Sequence, residues 1–221
     1  MKRSAAKKSA VLIGLLAPLL LLASCGTPSK LYAADKGDGV YFTVPHDWHE
    51  ISQDSINAVE SKSQAAGAAD RLALVHWQIG YSVEKNFKAE KVLSLKAPEK
   101  PVVYVRVRSM SSDEMNAVSY NTLRDLVVPL TTWASGSDAS APPLSISDDS
   151  EIVQKGGRGV HTQYTFKGSG GIEQTIDQSA LMANDRSTLY IMIVRCSKSC
   201  FDSNRKVLEK IVTSFTVRGK K

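Results

Sequence analysis

Residues 151–196 read EIVQKGGRGVHTQYTFKGSGGIEQTIDQSALMANDRSTLYIMIVRC, and their punctuation decides the fold. Four runs, Glu151 to Lys155, Gly159 to Phe166, Glu173 to Met182 and Thr188 to Arg195, are parted by Gly156-Gly157, by Gly168-Ser169-Gly170-Gly171 and by Asn184-Asp185. Glycine, asparagine and aspartate accept tightly bent or left-handed backbone at little cost, so runs separated this briefly fold back on one another. The expectation is a meander of antiparallel strands.

Working outward toward the C-terminus, a helix is expected to start near Asp202 or Ser203. Val207, Leu208, Ile211, Val212 and Phe215 recur on one face of it, which should pack across the sheet. In the other direction, Ala134 to Pro143 is a loop by its Ser, Ala, Gly and Pro content and a candidate insertion. Before it, a single helix is expected from Ser111 or Ser112 to Pro129. Asp113 and Glu114 suit the positive end of its dipole, and Met115, Val118, Thr122, Leu123 and Leu126 form its apolar side.

Pro101 to Met110 reads as a half-exposed strand, because Val103, Val105 and Val107 alternate with Tyr104, Arg106 and Arg108. Arg71 to Ser82 also reads as strand, with imperfect alternation, since His76 and Gln78 share a face with Leu72 and Leu74. Gln53 to about Ser63 is helix-compatible but weakly amphipathic. Val40, Phe42 and Val44 alternate with Tyr41 and Thr43 until Pro45 and Asp47 stop the run before Trp48. Residues 39–218, about 180 in all, are long enough for one domain with a real core. Its class is α/β (α+β): an antiparallel sheet flanked by helices.

The N-terminus is of another kind. Lys2, Arg3, Lys7 and Lys8 precede an uncharged run from Val11 to Ala23, whose 13 residues fall short of the roughly 20 needed to cross a bilayer as a helix. Residues 1–24 are therefore expected to be a cleavable signal peptide. The run ends in Leu22-Ala23-Ser24-Cys25-Gly26, which resembles the bacterial lipobox, and lipidation of Cys25 is what that resemblance implies. The competing reading is an ordinary signal peptide with a cysteine near its cut site. Residues 25–38 are small and polar and read as a lipidated tether spanning at most about 40 Å. Two or more acyl chains hold a protein durably, so the expected address is the extracytoplasmic face of the cell membrane.

Composition supports the division. The chain has 28 basic residues against 22 acidic ones, and removing the four basic residues of 1–24 leaves 24, a net charge of about +2. Nothing in that balance calls for nucleic acid. The basic tail at 219–221, with Arg218 before it, reads as solvated. Lipidation of Cys25 would leave Cys196 and Cys200 as an even pair in an oxidising compartment, where a disulfide closing the Ser197-Lys198-Ser199 turn is expected.

The opening Val40-Tyr41-Phe42-Thr43-Val44-Pro45-His46-Asp47-Trp48 and the closing Val207-Leu208-Glu209-Lys210-Ile211-Val212-Thr213-Ser214-Phe215-Thr216-Val217 resemble the two end signatures of the PsbP-like superfamily, including lipoproteins of the LpqN kind. The resemblance implies an α/β/α sandwich and a binding, assembly or accessory role, not a catalytic one.

Motifs for chemistry are sparse. Ser82-Val83-Glu84-Lys85 matches S-x-x-K without the companion elements of penicillin-recognising enzymes. Gly168-Ser169-Gly170-Gly171 lacks nucleophile-elbow framing, and no phosphate loop or dinucleotide fingerprint occurs. His46 and His49 flank Asp47 and Trp48 and are the weak candidates for a metal site, which would still need further ligands. His76 and His161 read as ordinary polar partners on strands. The expected function is a membrane-anchored, non-enzymatic envelope lipoprotein that binds an unknown envelope protein or ligand and carries no cofactor. The alternative is a small-ligand or metal-binding lipoprotein associated with transport, using a cleft near Trp48. A hydrolase would require a Ser/His/Asp geometry, which residue order alone does not exclude.

Overall fold

In the computed structural model, which describes residues 29–168 and 170–220, the meander is the spine of the larger of two sheets. In chain order the elements are β1 (Lys30–Asp35), β2 (Val40–Pro45), β3 (His49–Ile51), α1 (Gln53–Glu60), α2 (Ala68–Ala73), β4 (Val75–Ser82), α3 (Ala89–Leu93) and β5 (Val102–Ser109). They continue with α4 (Ser112–Ala117), α5 (Tyr120–Arg124), α6 (Leu130–Ala134), β6 (Leu144–Gln154), β7 (Gly157–Lys167), β8 (Glu173–Ala183), β9 (Thr188–Ser197), α7 (Lys198–Ser214) and β10 (Thr216–Val217).

The large sheet is wholly antiparallel in the order β3-β4-β5-β9-β8-β7-β6, and a small sheet has the order β1-β2-β10. Successive strand side chains point to opposite faces. On one face Val103, Val105 and Val107 of β5 join Tyr190, Met192 and Val194 of β9 under the small sheet and α7, which contribute Phe42, Val44, Phe201, Leu208 and Ile211. On the other face the alternate residues meet the short helices, and Ile51, Ile56, Phe87, Val92 and Tyr104 pack below α1 and α3. Leu123 packs on Val160, Ala180 and Ile191, while Val128 and Leu130 pack on Tyr164, Phe166 and Ile176. Helices therefore flank an antiparallel sheet on both sides, as expected.

Several boundaries differ from expectation. Lys30–Asp35, assigned to the tether, form β1 and pair with β2 from Lys30 opposite Pro45 to Asp35 opposite Val40. Only Ala33 of that strand is buried, so its sequence carries almost no apolar alternation. The single helix expected up to Pro129 is two short ones, α4 and α5, and a third, α6, follows Pro129. Ser119 opens a second capping box with Thr122, and the Asp125 carboxylate accepts the Thr131 N–H at 2.7 Å, which turns the chain into α6. Arg71 to Ser82 divides into the end of α2 and β4, and the disturbed alternation marks a register shift between Val75 and Trp77. β5 is covered on both faces rather than half-exposed, and β6 begins at Leu144, not Glu151.

α7 begins at Lys198, capped by the Ser197 hydroxyl, four residues before the expected start. Cys196 and Cys200 are disulfide-bonded with Cα atoms 5.9 Å apart, and the link joins the buried end of β9 to the first turn of α7 instead of closing a free turn. Arg195, the residue before it, is buried and donates to the carbonyl oxygens of Lys91, Val92 and Lys96. Burial without a carboxylate partner pulls its guanidinium down to about 10. One side chain thus fastens the Lys91–Lys96 segment to the sheet.

Closing a loop this short restrains the unfolded chain by about 2 kcal/mol in the chain-entropy account. Reduction of the Cys196–Cys200 bond should therefore lower the stability measured by urea unfolding by about that amount, with strand content by circular dichroism unchanged. Equal midpoints for the oxidised and reduced chains would show the link to be energetically idle.

Candidate functional site

The face of the large sheet opposite α7 is incompletely covered. Ile193 packs partly against all three apolar clusters of that side and lies where they meet. Between them is a recess of about 560 Å³, floored by Ile191 and Ile193 and walled by Tyr104, Leu93 and Leu126 and by the ends of α1 and α2, with Arg106 at its edge. Another depression, of about 550 Å³, is walled by the Val83–Lys100 loop and lined mostly by lysines, glutamates and small residues. The sheet-face recess gathers side chains of β5, β9, α1 and α2 onto the strands of the large sheet.

Its polar side is a connected network. Gln78 is fully buried, and its amide nitrogen donates to Asn57 Oδ1 at 2.7 Å and Glu60 Oε2 at 2.9 Å, while its oxygen accepts the Tyr104 hydroxyl. Arg106 Nη1 donates to Glu60 Oε1 at 2.6 Å and to the Tyr104 oxygen at 3.3 Å. Burial pushes the Tyr104 hydroxyl up to about 12 against the pull of Arg106. Burial opposes the Arg106 charge, but Tyr104 and Glu60 more than offset it, so the guanidinium is held above its ordinary value. Arg106 Nε is buried without a hydrogen-bond partner. Arg108 is held by Glu114 through two bonds of 2.9 and 2.7 Å, and exposed Arg71 at the rim forms no ion pair among the described residues. The recess is apolar at its floor and cationic at its edge.

The residues singled out from sequence fall elsewhere. His46 is exposed, His49 is half-buried at the start of β3, and Trp48 between them is buried in the core beneath α7. Trp48 lines neither the sheet-face recess nor the Val83–Lys100 depression, and among the described residues no group of three or more His, Cys, Asp or Glu is arranged to hold a metal. Ser82 of the S-x-x-K match is buried, and its hydroxyl donates to the Pro101 carbonyl, a structural role. Cys25 lies outside the described residues. No helix among those described is long and apolar enough to cross a membrane.

A Ser/His/Asp constellation does form. His76 Nδ1 lies 2.9 Å from Asp38 Oδ2, and its Nε2 lies 2.7 Å from Ser109 Oγ. Acyl transfer also needs donors for the developing oxyanion. Ser109 ends a regular strand, and the two amides beside its hydroxyl are spent: its own N–H bonds Leu74 O and that of Met110 bonds Ser187 O, both at 2.9 Å. Asp38 sits in the β1–β2 turn and also meets Lys220 Nζ at 3.4 Å, so the trio fastens the small sheet and the C-terminal segment to the large one. Sequence reading missed it because its members stand on three separate strands or turns.

A second histidine cluster lies on β6, β7 and β8. His161 Nε2 is 2.8 Å from Asp177 Oδ1 and Nδ1 is 3.1 Å from Asp148 Oδ2, with Gln163 donating to the other Asp177 oxygen. The hydrogen bond to Asp177, against burial, raises the His161 value.

The fold is an α/β/α sandwich on an antiparallel sheet, with an open recess on its helix-covered face. In layout the chain is similar to cyanobacterial PsbP from Synechocystis, at 13% identity over 91% of this chain and 99% of that one, with a TM-score of 0.47. It is similar also to LpqN of Mycobacterium tuberculosis, a protein involved in cell envelope biogenesis (11% identity, 85% and 90% covered, TM-score 0.45). The Ran-binding protein Mog1p of Saccharomyces cerevisiae aligns at 9% identity, covering 86% and 96%, with a TM-score of 0.43. No family model and no curated protein matches the sequence. These are likenesses of layout, and the function rests on this chain's own residues.

Two outcomes follow from the histidine geometry. A Ser109→Ala chain should hydrolyse a p-nitrophenyl ester no more slowly than the unaltered one, and a tenfold loss would make the trio a catalyst. Because the folded-state value of His161 is raised, its stabilisation is complete below the ordinary imidazole value of about 6.5 and is lost as pH rises through the raised value. In urea unfolding, the stability gap between the unaltered chain and His161→Gln should narrow from pH 5.5 to pH 8.5; a gap that stays constant would contradict the assignment.

Proposed function

We propose that this chain is a membrane-anchored envelope lipoprotein, lipidated on Cys25 and held on the extracytoplasmic face, whose domain binds a protein or cell-envelope partner without turning it over. The carrying observation is the sheet-face recess, in which Ile191 and Ile193 floor a cavity edged by Arg71, Arg106 and Arg108. A patch with an apolar centre and a charged rim on rigid strands is the anatomy of a recognition surface. The lipobox-like Leu22-Ala23-Ser24-Cys25 supports the anchor, and the disulfide fits an oxidising compartment. The engaged amides beside Ser109 argue against hydrolysis.

A second reading, a lipoprotein that carries a small ligand for transport, is favoured by the size of the recess, about 560 Å³ and within the usual range for small-molecule sites. Its ligand would lie on the sheet face rather than beside Trp48. The metal version has no comparable support, since His46 and His49 gather no further ligands.

Two variants of exposed rim residues test the site without touching the core. Crosslinking in intact cells should recover one reproducible envelope partner, and Ser63→Trp or Arg71→Glu should reduce its recovery about tenfold, the size of a modest hot spot. A Val207→Glu control on the opposite side, on α7, should not. Equal recovery from all three would sink the recess as the binding site. A small molecule that co-purifies with the native chain and is lost in Ser63→Trp would instead favour the second reading.

A further inference from the structure

The ends of four adjacent strands form one margin of the large sheet. β4 ends at Ser82, opposite Val102 at the start of β5; Val102 lies opposite Arg195 near the end of β9; and Ser197, the last residue of β9, lies opposite Gln174 near the start of β8. The chain leaves toward Cys25 from this same margin. Ser29 O accepts the His46 N–H at 3.4 Å, and His49, three residues further on, pairs with Ser82. Because β1 begins at Lys30, only Gly26, Thr27 and Pro28 separate Cys25 from Ser29. Fully extended, that connection spans about 14 Å, far less than the tether expected from sequence.

The margin is also where apolar side chains project. Leu95 is 53% exposed, Ile172 50% and Val83 36%. Val83 follows β4 directly. Leu95 and Ile172 are brought together through Gln174, whose amide donates to Leu95 O at 2.7 Å and which stands two residues beyond Ile172. Exposed Lys96, Lys100 and Lys167 surround them, and Lys198 beside them is paired with Asp202 at 2.6 Å. Val153, by contrast, lies beside the β6–β7 turn at the opposite end of the sheet.

We propose that this margin is a membrane-contacting surface. Leu95, Ile172 and Val83 enter the headgroup layer beside the anchor, and the lysines meet lipid phosphates. Exposed Glu99 and Glu173 on the same margin offset part of the positive charge, so the contact is chiefly apolar and weakly sensitive to salt. The occupant is a phospholipid bilayer, because a connection this short leaves the margin no other neighbour. The inference rests on lipidation of Cys25.

The test uses the full lipidated chain from native membranes, reconstituted in vesicles of phosphatidylcholine and phosphatidylglycerol at a ratio of 7:3. With Cys25 acylated and Cys196 bonded to Cys200, a cysteine introduced by Leu95→Cys, Ile172→Cys or Val153→Cys is the single site for an environment-sensitive fluorophore. Iodide in the aqueous phase should quench the labels at 95 and 172 at least threefold less than the label at 153, with blue-shifted emission. Protein that floats with the vesicles yet is quenched equally at all three positions overturns the surface and leaves the anchor standing. Protein that does not float overturns the anchor, and the surface with it.

Discussion

Burial of β5 and β9 on both faces is the constraint from which the rest follows. Val103, Val105 and Val107 with Tyr190, Met192 and Val194 demand one cover, which α7 and the small sheet provide. Tyr104, Ile191 and Ile193 demand another. That second cover is built from helices of five to eight residues, too short to stand alone in water and held by tertiary packing. Short pieces do not tile a sheet face completely. The recess at Ile193 is what remains where three such pieces fail to meet, and the polar network of Gln78, Tyr104, Arg106 and Glu60 keeps its wall in register.

The strands were legible because period-two alternation and turn residues are local signals. Val103 to Val107, Val40 to Val44 and the four meander runs carried both, and the fold class came with them. Local signals fail where a distant partner decides the structure. β1 owes its existence to β2, since of its own side chains only Ala33 is buried. The long helix before Pro129 breaks because Ser119 caps a new turn with Thr122 and Asp125 then finds the Thr131 amide, bonds with no apolar pattern behind them. Trp48, on a turn that suggests a surface cleft, is part of the core, because the turn carries it into the cluster that α7 covers.

The recess was illegible for a related reason. Its floor comes from β9, its polar wall from β5 and α1 and its rim from α2, so no window of sequence contains it. One signal was present in Arg106 and Arg108, charged residues alternating with valines. They were read as the wet side of a half-exposed strand. On a strand covered on both faces the same two arginines become groups that must find partners, and they do so in Glu60 and Glu114. A covered arginine whose Nε still has no partner is the residue such a pattern should bring forward.

The longer of the large sheet's two edge strands is β6, eleven residues that are mostly exposed and bonded on one side only, to β7. Such a border can template the next copy of the chain. Here an approaching strand must bring its backbone against Asp148, Asp149 and Glu151, next to a register shift between Ile146 and Asp148. Asp149 is held by Arg124 and Asp148 by His161, so an incoming strand meets side chains that are already engaged, and the kinked register would keep the amides from lining up. The outermost strand is thereby a poor seat for another one.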